Sequence, residues 1–151
     1  MKATTTVMAA VMAFGLTGCC DKFVEKAAEK AAEKAVEEAT GGDASLAIGD
    51  NVDISALPAA FRYPGVKAKG RFTQNTPTGS GTVYMLESDD PLAKVKAHYE
   101  ALTGYKQTAK MDTADGSMFA WEAAPGESYN VVLSPTGGKT VITITHAKDK
   151  P

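Results

Sequence analysis

The sequence predicts an α+β fold: an antiparallel sheet of about six strands in the order ββαββββ, with one helix packed on one face, preceded by a helical stalk rich in Ala, Glu and Lys. Three observations predict it. From residue 57 onward, apolar and polar residues alternate in short runs, the period of half-buried strands. Pairs containing Gly or Pro, at Pro64-Gly65, Asp115-Gly116, Pro125-Gly126 and Gly137-Gly138, separate those runs at turn spacing. The segment SDDPLAKVKAHYEALTG, residues 88–104, switches to the helical period and aligns Leu92, Val95, Tyr99 and Leu102 on one face.

In chain order, residues 1–18 open with one positive charge, Lys2, and run into an apolar stretch from Val7 to Leu16 followed by small residues. A membrane-spanning helix needs about 20 apolar residues. This stretch is too short to span and has the proportions of a signal-peptide core. Both cysteines of the chain, Cys19 and Cys20, come next. Two cysteines cannot make a disulfide framework, and a bond between neighbours would close a strained ring.

Residues 19–40 carry the stalk, DKFVEKAAEKAAEKAVEEAT from Asp21, in which Glu-Lys-Ala-Ala nearly repeats until Gly41-Gly42 stops it. Ala, Glu and Lys are strong helix formers, and a helix of this length reaches ~28 Å. Its apolar stripe is almost all alanine, which buries little area, so a solvated spacer is favoured over a self-associating seam. Residues 41–56 lack a sustained period and read as a linker, with a short packed segment around Leu46-Ala47-Ile48.

Residues 57–151 form the small α+β domain. Val66, Ala68 and Phe72 alternate with Lys67, Lys69 and Arg71, giving a half-buried strand whose three cations share one face. Thr82 to Glu87 is the next strand. Ser88, Asp89 or Asp90 caps the helix, Pro91 fits its first turn and Gly104 ends it. Four strands follow near 105–111, 118–123, 129–133 and 140–146. The expected core is Phe72, Val83, Met85, Leu92, Val95, Tyr99, Leu102, Trp121, Val131, Ile142 and Ile144.

Little in the chain points to catalysis. A formal net charge of −2 gives no overall field for nucleic acid. His98 and His146 have no Cys or carboxylate at metal-ligand spacing, and neither a metal nor an organic cofactor is expected. Asp89 and Asp90 are accounted for by the helix N-terminus, and Asp112 and Asp115 are too few for calcium. No nucleophile elbow, phosphate loop or dinucleotide fingerprint occurs. Lys67, Lys69 and Arg71 remain: either a solvated face protecting a sheet edge, or a contact for an anionic partner.

Leu16-Thr17-Gly18-Cys19 resembles the lipobox of bacterial lipoproteins: an aliphatic residue, two small residues, then cysteine. Cys20 would instead have Thr17 three positions before it and Cys19 just before it, a poorer match. The resemblance implies cleavage before Cys19, a lipid on its thiol and attachment to a membrane facing the periplasm, with the outer membrane expected over the inner. Two or more acyl chains anchor stably. Residues 57–147 also resemble a loosely defined group of small bacterial envelope domains. The matching pieces are Phe61-Arg62-Tyr63-Pro64-Gly65, Ser88-Asp89-Asp90-Pro91, His98-Tyr99-Glu100, Gly104-Tyr105 and Trp121. That group carries no common activity to transfer. The expectation is a non-catalytic, lipid-anchored envelope protein with a structural or protein-binding domain. Its partners would be the membrane, through the lipid, and an envelope protein, with no nucleic acid. The alternatives are a module binding a small ligand or lipid on the open sheet face, and a periplasmic enzyme.

Overall fold

Seven strands, one more than expected, make a single antiparallel sheet, and the computed structural model that shows it describes residues 21–50 and 52–150, with side chains from residue 26. The apolar leader and the Cys19–Cys20 pair lie outside the described residues. Helix α1 spans Asp21–Thr40 and strand β1 Ala44–Ile48; β2 is Lys67–Asn75 and β3 Gly79–Ser88. Helix α2 is Leu92–Glu100, followed by β4 Lys106–Thr113, β5 Gly116–Ala124, β6 Glu127–Thr136 and β7 Lys139–Asp149. The sheet order is β1-β2-β3-β7-β6-β5-β4, so the last strand is the central one.

The extra strand is β1, inside the segment expected to be a linker. It pairs with β2 from Ala44↔Gln74 to Ile48↔Gly70. Gly41 and Gly42, at φ +63° and +88°, reverse the chain, a conformation that costs glycine little. Helix α1 therefore runs back along β1 rather than standing free as a solvated spacer. Glu29, Ala32, Glu33 and Val36, at i, i+3, i+4 and i+7, are its half-buried side chains. Glu33 Oε1 accepts the backbone N–H of Ile48 at 3.2 Å. The helix thus occupies what would be an open sheet edge.

One face of the sheet is covered by α2 and by residues 52–66, which cross it as a strap. Nine residues of helix are too few to cover seven strands; α2 lies over β5, β6 and β7. The strap contributes Leu57, Phe61 and Tyr63 to the core, at 1%, 0% and 5% exposure. Phe61 stacks on Tyr129 at 4.3 Å between ring centroids and meets Tyr105 and Trp121 edge-on at 4.9 and 5.5 Å. The buried Tyr99 hydroxyl donates to the Phe61 carbonyl at 3.1 Å, tying α2 to the strap. Thr140 Oγ1 donates to the Asp90 carbonyl at 2.8 Å and fixes the entrance to α2.

Two local expectations change. No side chain caps α2: Pro91 is its N-cap residue, Ser88 Oγ accepts the Asp90 N–H at 3.1 Å, and the Asp90 carboxylate is turned to Tyr63 and Lys94. The β3 residues facing the core are Tyr84 and Leu86, not Val83 and Met85. Val83-Tyr84-Met85-Leu86 is apolar at both parities, so alternation alone cannot choose a face. Phe72, paired with Val83, turns to the open face with it. The remaining expected core residues hold: Val95, Tyr99, Trp121, Val131, Ile142 and Ile144 are buried, and Leu92 and Leu102 pack against them half-buried.

Chemical denaturation tests this parity. Phe61→Ala and Leu86→Ala should each cost about 2–5 kcal/mol. Met85→Ala, on the open face, should cost about 1 kcal/mol or less.

Candidate functional site

The basic strand does not present its three cations together. Between Ala68 and Gly70 the β2–β3 register shifts, leaving Lys69 as the extra residue of a bulge. Lys67 pairs with Glu87 on the open face, whereas Arg71 pairs with Tyr84 on the covered face. Each cation has its own anion: Lys67 with Asp89 at 3.4 Å, Lys69 with Asp50, and Arg71 with Asp53 at 3.9 Å. Arg71 Nη1 also donates to the Asp53 carbonyl at 2.9 Å, holding the strap to β2. The expected one-sided basic patch is therefore replaced by three separated ion pairs.

The histidines are likewise apart. The His98 ring lies edge-on to Tyr63 and Tyr99, each at 5.1 Å, and its buried Nε2 has no hydrogen-bond partner among the described residues. His146 stacks on Tyr129 at 4.5 Å and bonds Glu127 Oε1 at 2.8 Å. Burial, with help from neighbouring carboxylates, pushes the Tyr63 and Tyr129 hydroxyls up to about 12. Among the described residues no group of three or more His, Cys, Asp or Glu side chains is placed to hold a metal.

The feature that sequence reading missed is the apolar row on the open face. An antiparallel sheet with one solvated face ordinarily alternates apolar in and polar out. Here Ile48, Met85, Met111 and Val132 are large apolar residues 40–52% exposed. The register puts all four in one row that crosses every strand. Ile48 opposes Gly70, which opposes Met85; Met85 opposes Thr143 on the central strand. Thr143 opposes Val132, then come Met118 and Met111 on the far edge. The next row holds Leu46, Phe72, Val83, Thr145, Asn130, Ala120 and Ala109. Gly70 matters to the surface: a Cβ there would stand 2.5 Å from Met85 Cε, so the methionine lies over it.

Charged pairs border the apolar rows at both strand ends. Lys139 bonds Glu87 at 2.7 Å at one end, beside Lys67, and Lys106 bonds Glu122 at 2.9 Å at the other. Two surface depressions among the described residues have linings without histidine. One, of about 190 Å³, includes Met111, Met118 and Val132; the other, of about 220 Å³, lies by the 76–79 turn. Both fall below the ~300 Å³ from which small-molecule pockets start.

Comparison with known proteins finds no matching family model, no matching curated protein and no matching solved structure.

Two expectations can be measured. Asp53, Glu87, Asp89, Asp90, Glu100, Asp112 and Glu127 are all held below the ordinary carboxylate range by hydrogen bonds. The leading donors are the Ser55 backbone, Lys139 for both Glu87 and Asp89, Lys94, Lys110, Lys96 and His146 in turn. Such groups stabilise the fold fully above the unfolded value near ~4 and lose that contribution as pH falls through their lower folded values. The thermal midpoint should drop below about pH 4, and Glu127→Gln should flatten part of that drop. Separately, Arg71→Gln should destabilise by about 1 kcal/mol through the lost strap contact, and Lys67→Gln by no more than ~0.5 kcal/mol.

Proposed function

We propose that this chain is a lipid-anchored bacterial envelope protein, held through Cys19, whose non-catalytic domain binds a protein through the open face of its sheet. The anchor reading rests on the Leu16-Thr17-Gly18-Cys19 register after a short apolar leader. The binding reading rests on one observation: the four exposed large apolar residues fall in a single cross-strand row with charged pairs at either end. That is the anatomy of a protein interface, an apolar centre inside a polar rim. A contiguous exposed apolar area of this kind marks an interaction site. The shallow relief of the face favours a protein over a small ligand.

This reading replaces contact through Lys67, Lys69 and Arg71, whose charges are already engaged within the chain. It also gives His98 and His146 structural roles, as ring-packing groups.

Metabolic labelling with a palmitate analogue tests the anchor. The wild type and Cys20→Ser should be labelled and membrane-bound, and Cys19→Ser should be neither. Labelled, membrane-bound Cys19→Ser would overturn the assignment.

A further inference from the structure

We propose that the protein partner of the open face is a second copy of this chain, docked face to face about a twofold axis parallel to β7. This deepens the reading above and takes its choice of axis from the anchor.

Size comes first. Seven strands at ~4.8 Å span about 34 Å, and three same-face rows, those of Thr143, Thr145 and the rim row of Ala147 with Glu122 and Lys106, cover about 20 Å at ~6.8 Å each. Each copy would then bury roughly 700 Å², close to the ~800 Å² per partner of a stable interface. Two sheets packed in this way sit ~10 Å apart with their strands nearly aligned.

The register supplies self-complementarity. β7 is the central strand. An axis along it sets Thr143 against Thr143 of the second copy and leaves the two sides to exchange partners. Met85, one strand to one side, then meets Val132, one strand to the other. Ile48 and Met111, each three strands out, meet at the margins. A twofold interface must match a patch with itself in this manner. The smallest side chain of the row's middle, Thr143, lies where the two sheets touch symmetrically, and the bulky apolar groups interlock to either side.

The anchor selects this axis over its perpendicular. Helix α1 runs along β1, parallel to the strand direction, with Glu29 and Glu33 beside the Gly49 and Ile48 end of the strand. Rotation about an axis parallel to β7 keeps the component of that direction along the axis, even though the twist of the sheet turns β1 away from β7. Both α1 N-termini, two residues past Cys19, then keep one sense along the axis, toward a single membrane. A perpendicular axis in the interface would point the two lipids in opposite directions. The same rotation places α1 of each copy beside the β4 edge of the other, where the sheet of the described residues ends.

Crosslinking in intact cell envelopes tests the pairing, using full-length Cys20→Ser so that Cys19 is the only native thiol. Thr143→Cys should be joined by a short bis-maleimide into a product of twice the chain mass. Adding Val132→Glu should cut that product at least tenfold while the chain remains protease-resistant. Lys94→Cys, exposed on α2 on the opposite side of the sheet, should give none. The proposal is overturned if Thr143→Cys reacts with a monofunctional maleimide yet yields no doubled product. It is equally overturned by a crosslink to a species of different mass, or by equal crosslinking from Lys94→Cys. Palmitate-analogue labelling of the same cells separates the two readings. A labelled chain without the doubled product removes the pairing and keeps the anchor; an unlabelled chain that still pairs removes the anchor and keeps the pairing.

Discussion

The docking of Phe61 is the constraint on which the rest of the domain depends. A nine-residue helix cannot shield a seven-stranded sheet, so the second half of the covered face is closed by another segment. Residues 52–66 do this with a single 3-10 turn at Ala59–Phe61, and mostly irregular chain can be buried only if its polar backbone groups find partners. Tyr99 supplies one by bonding the Phe61 carbonyl, Arg62 bonds the Leu57 and Ser55 carbonyls, and Arg71 bonds that of Asp53. The aromatic side chain and the carbonyl of Phe61 are thus satisfied by the sheet and by α2 together. That couples three parts of the molecule at one residue.

The bulge at Lys69 has the next largest effect. A shift of one residue exchanges the faces of everything beyond it. It sends Arg71 to the covered side, where its length reaches the strap, and leaves Lys67 with Glu87 on the open side. It also places Gly70 beneath Met85. The same local irregularity therefore dissolves the basic patch and levels part of the apolar face. A charge pattern became a packing pattern because one residue was left unpaired.

Much of the fold was legible because its signals are local. Hairpin turns at Pro125-Gly126 and Gly137-Gly138, with glycines at φ +75°, +58° and +83°, are encoded by the residues that tolerate them. The apolar face of α2 was legible for the same reason. What was not legible depends on pairing between distant segments. β1 is five residues whose strand character comes from lying between β2 and α1. The parity of Val83-Tyr84-Met85-Leu86 is settled by which face Phe61 and α2 cover. The apolar row on the open face was invisible because it draws one residue from each of seven strands, and no spacing in the chain connects Ile48 to Met111. The expected shared face of Lys67, Lys69 and Arg71 is broken by a bulge, which one strand's sequence does not announce.

Under the anchor proposed above, the reversal at Gly41-Gly42 has a mechanical meaning. With α1 laid along β1, most of its ~30 Å of helix would add nothing to the distance between a membrane and the sheet; only the turns before Glu29 project past the strand. The helix is stowed length. What retains it is modest: the half-buried Glu29, Ala32, Glu33 and Val36, the Glu33 bond to the Ile48 N–H and the Thr40 hydroxyl's bond to the Ala44 N–H. None of its side chains from residue 26 onward belongs to the aromatic core. A pull between anchor and domain would load this weak seam before the sheet and release α1 as slack, letting the folded domain move outward intact.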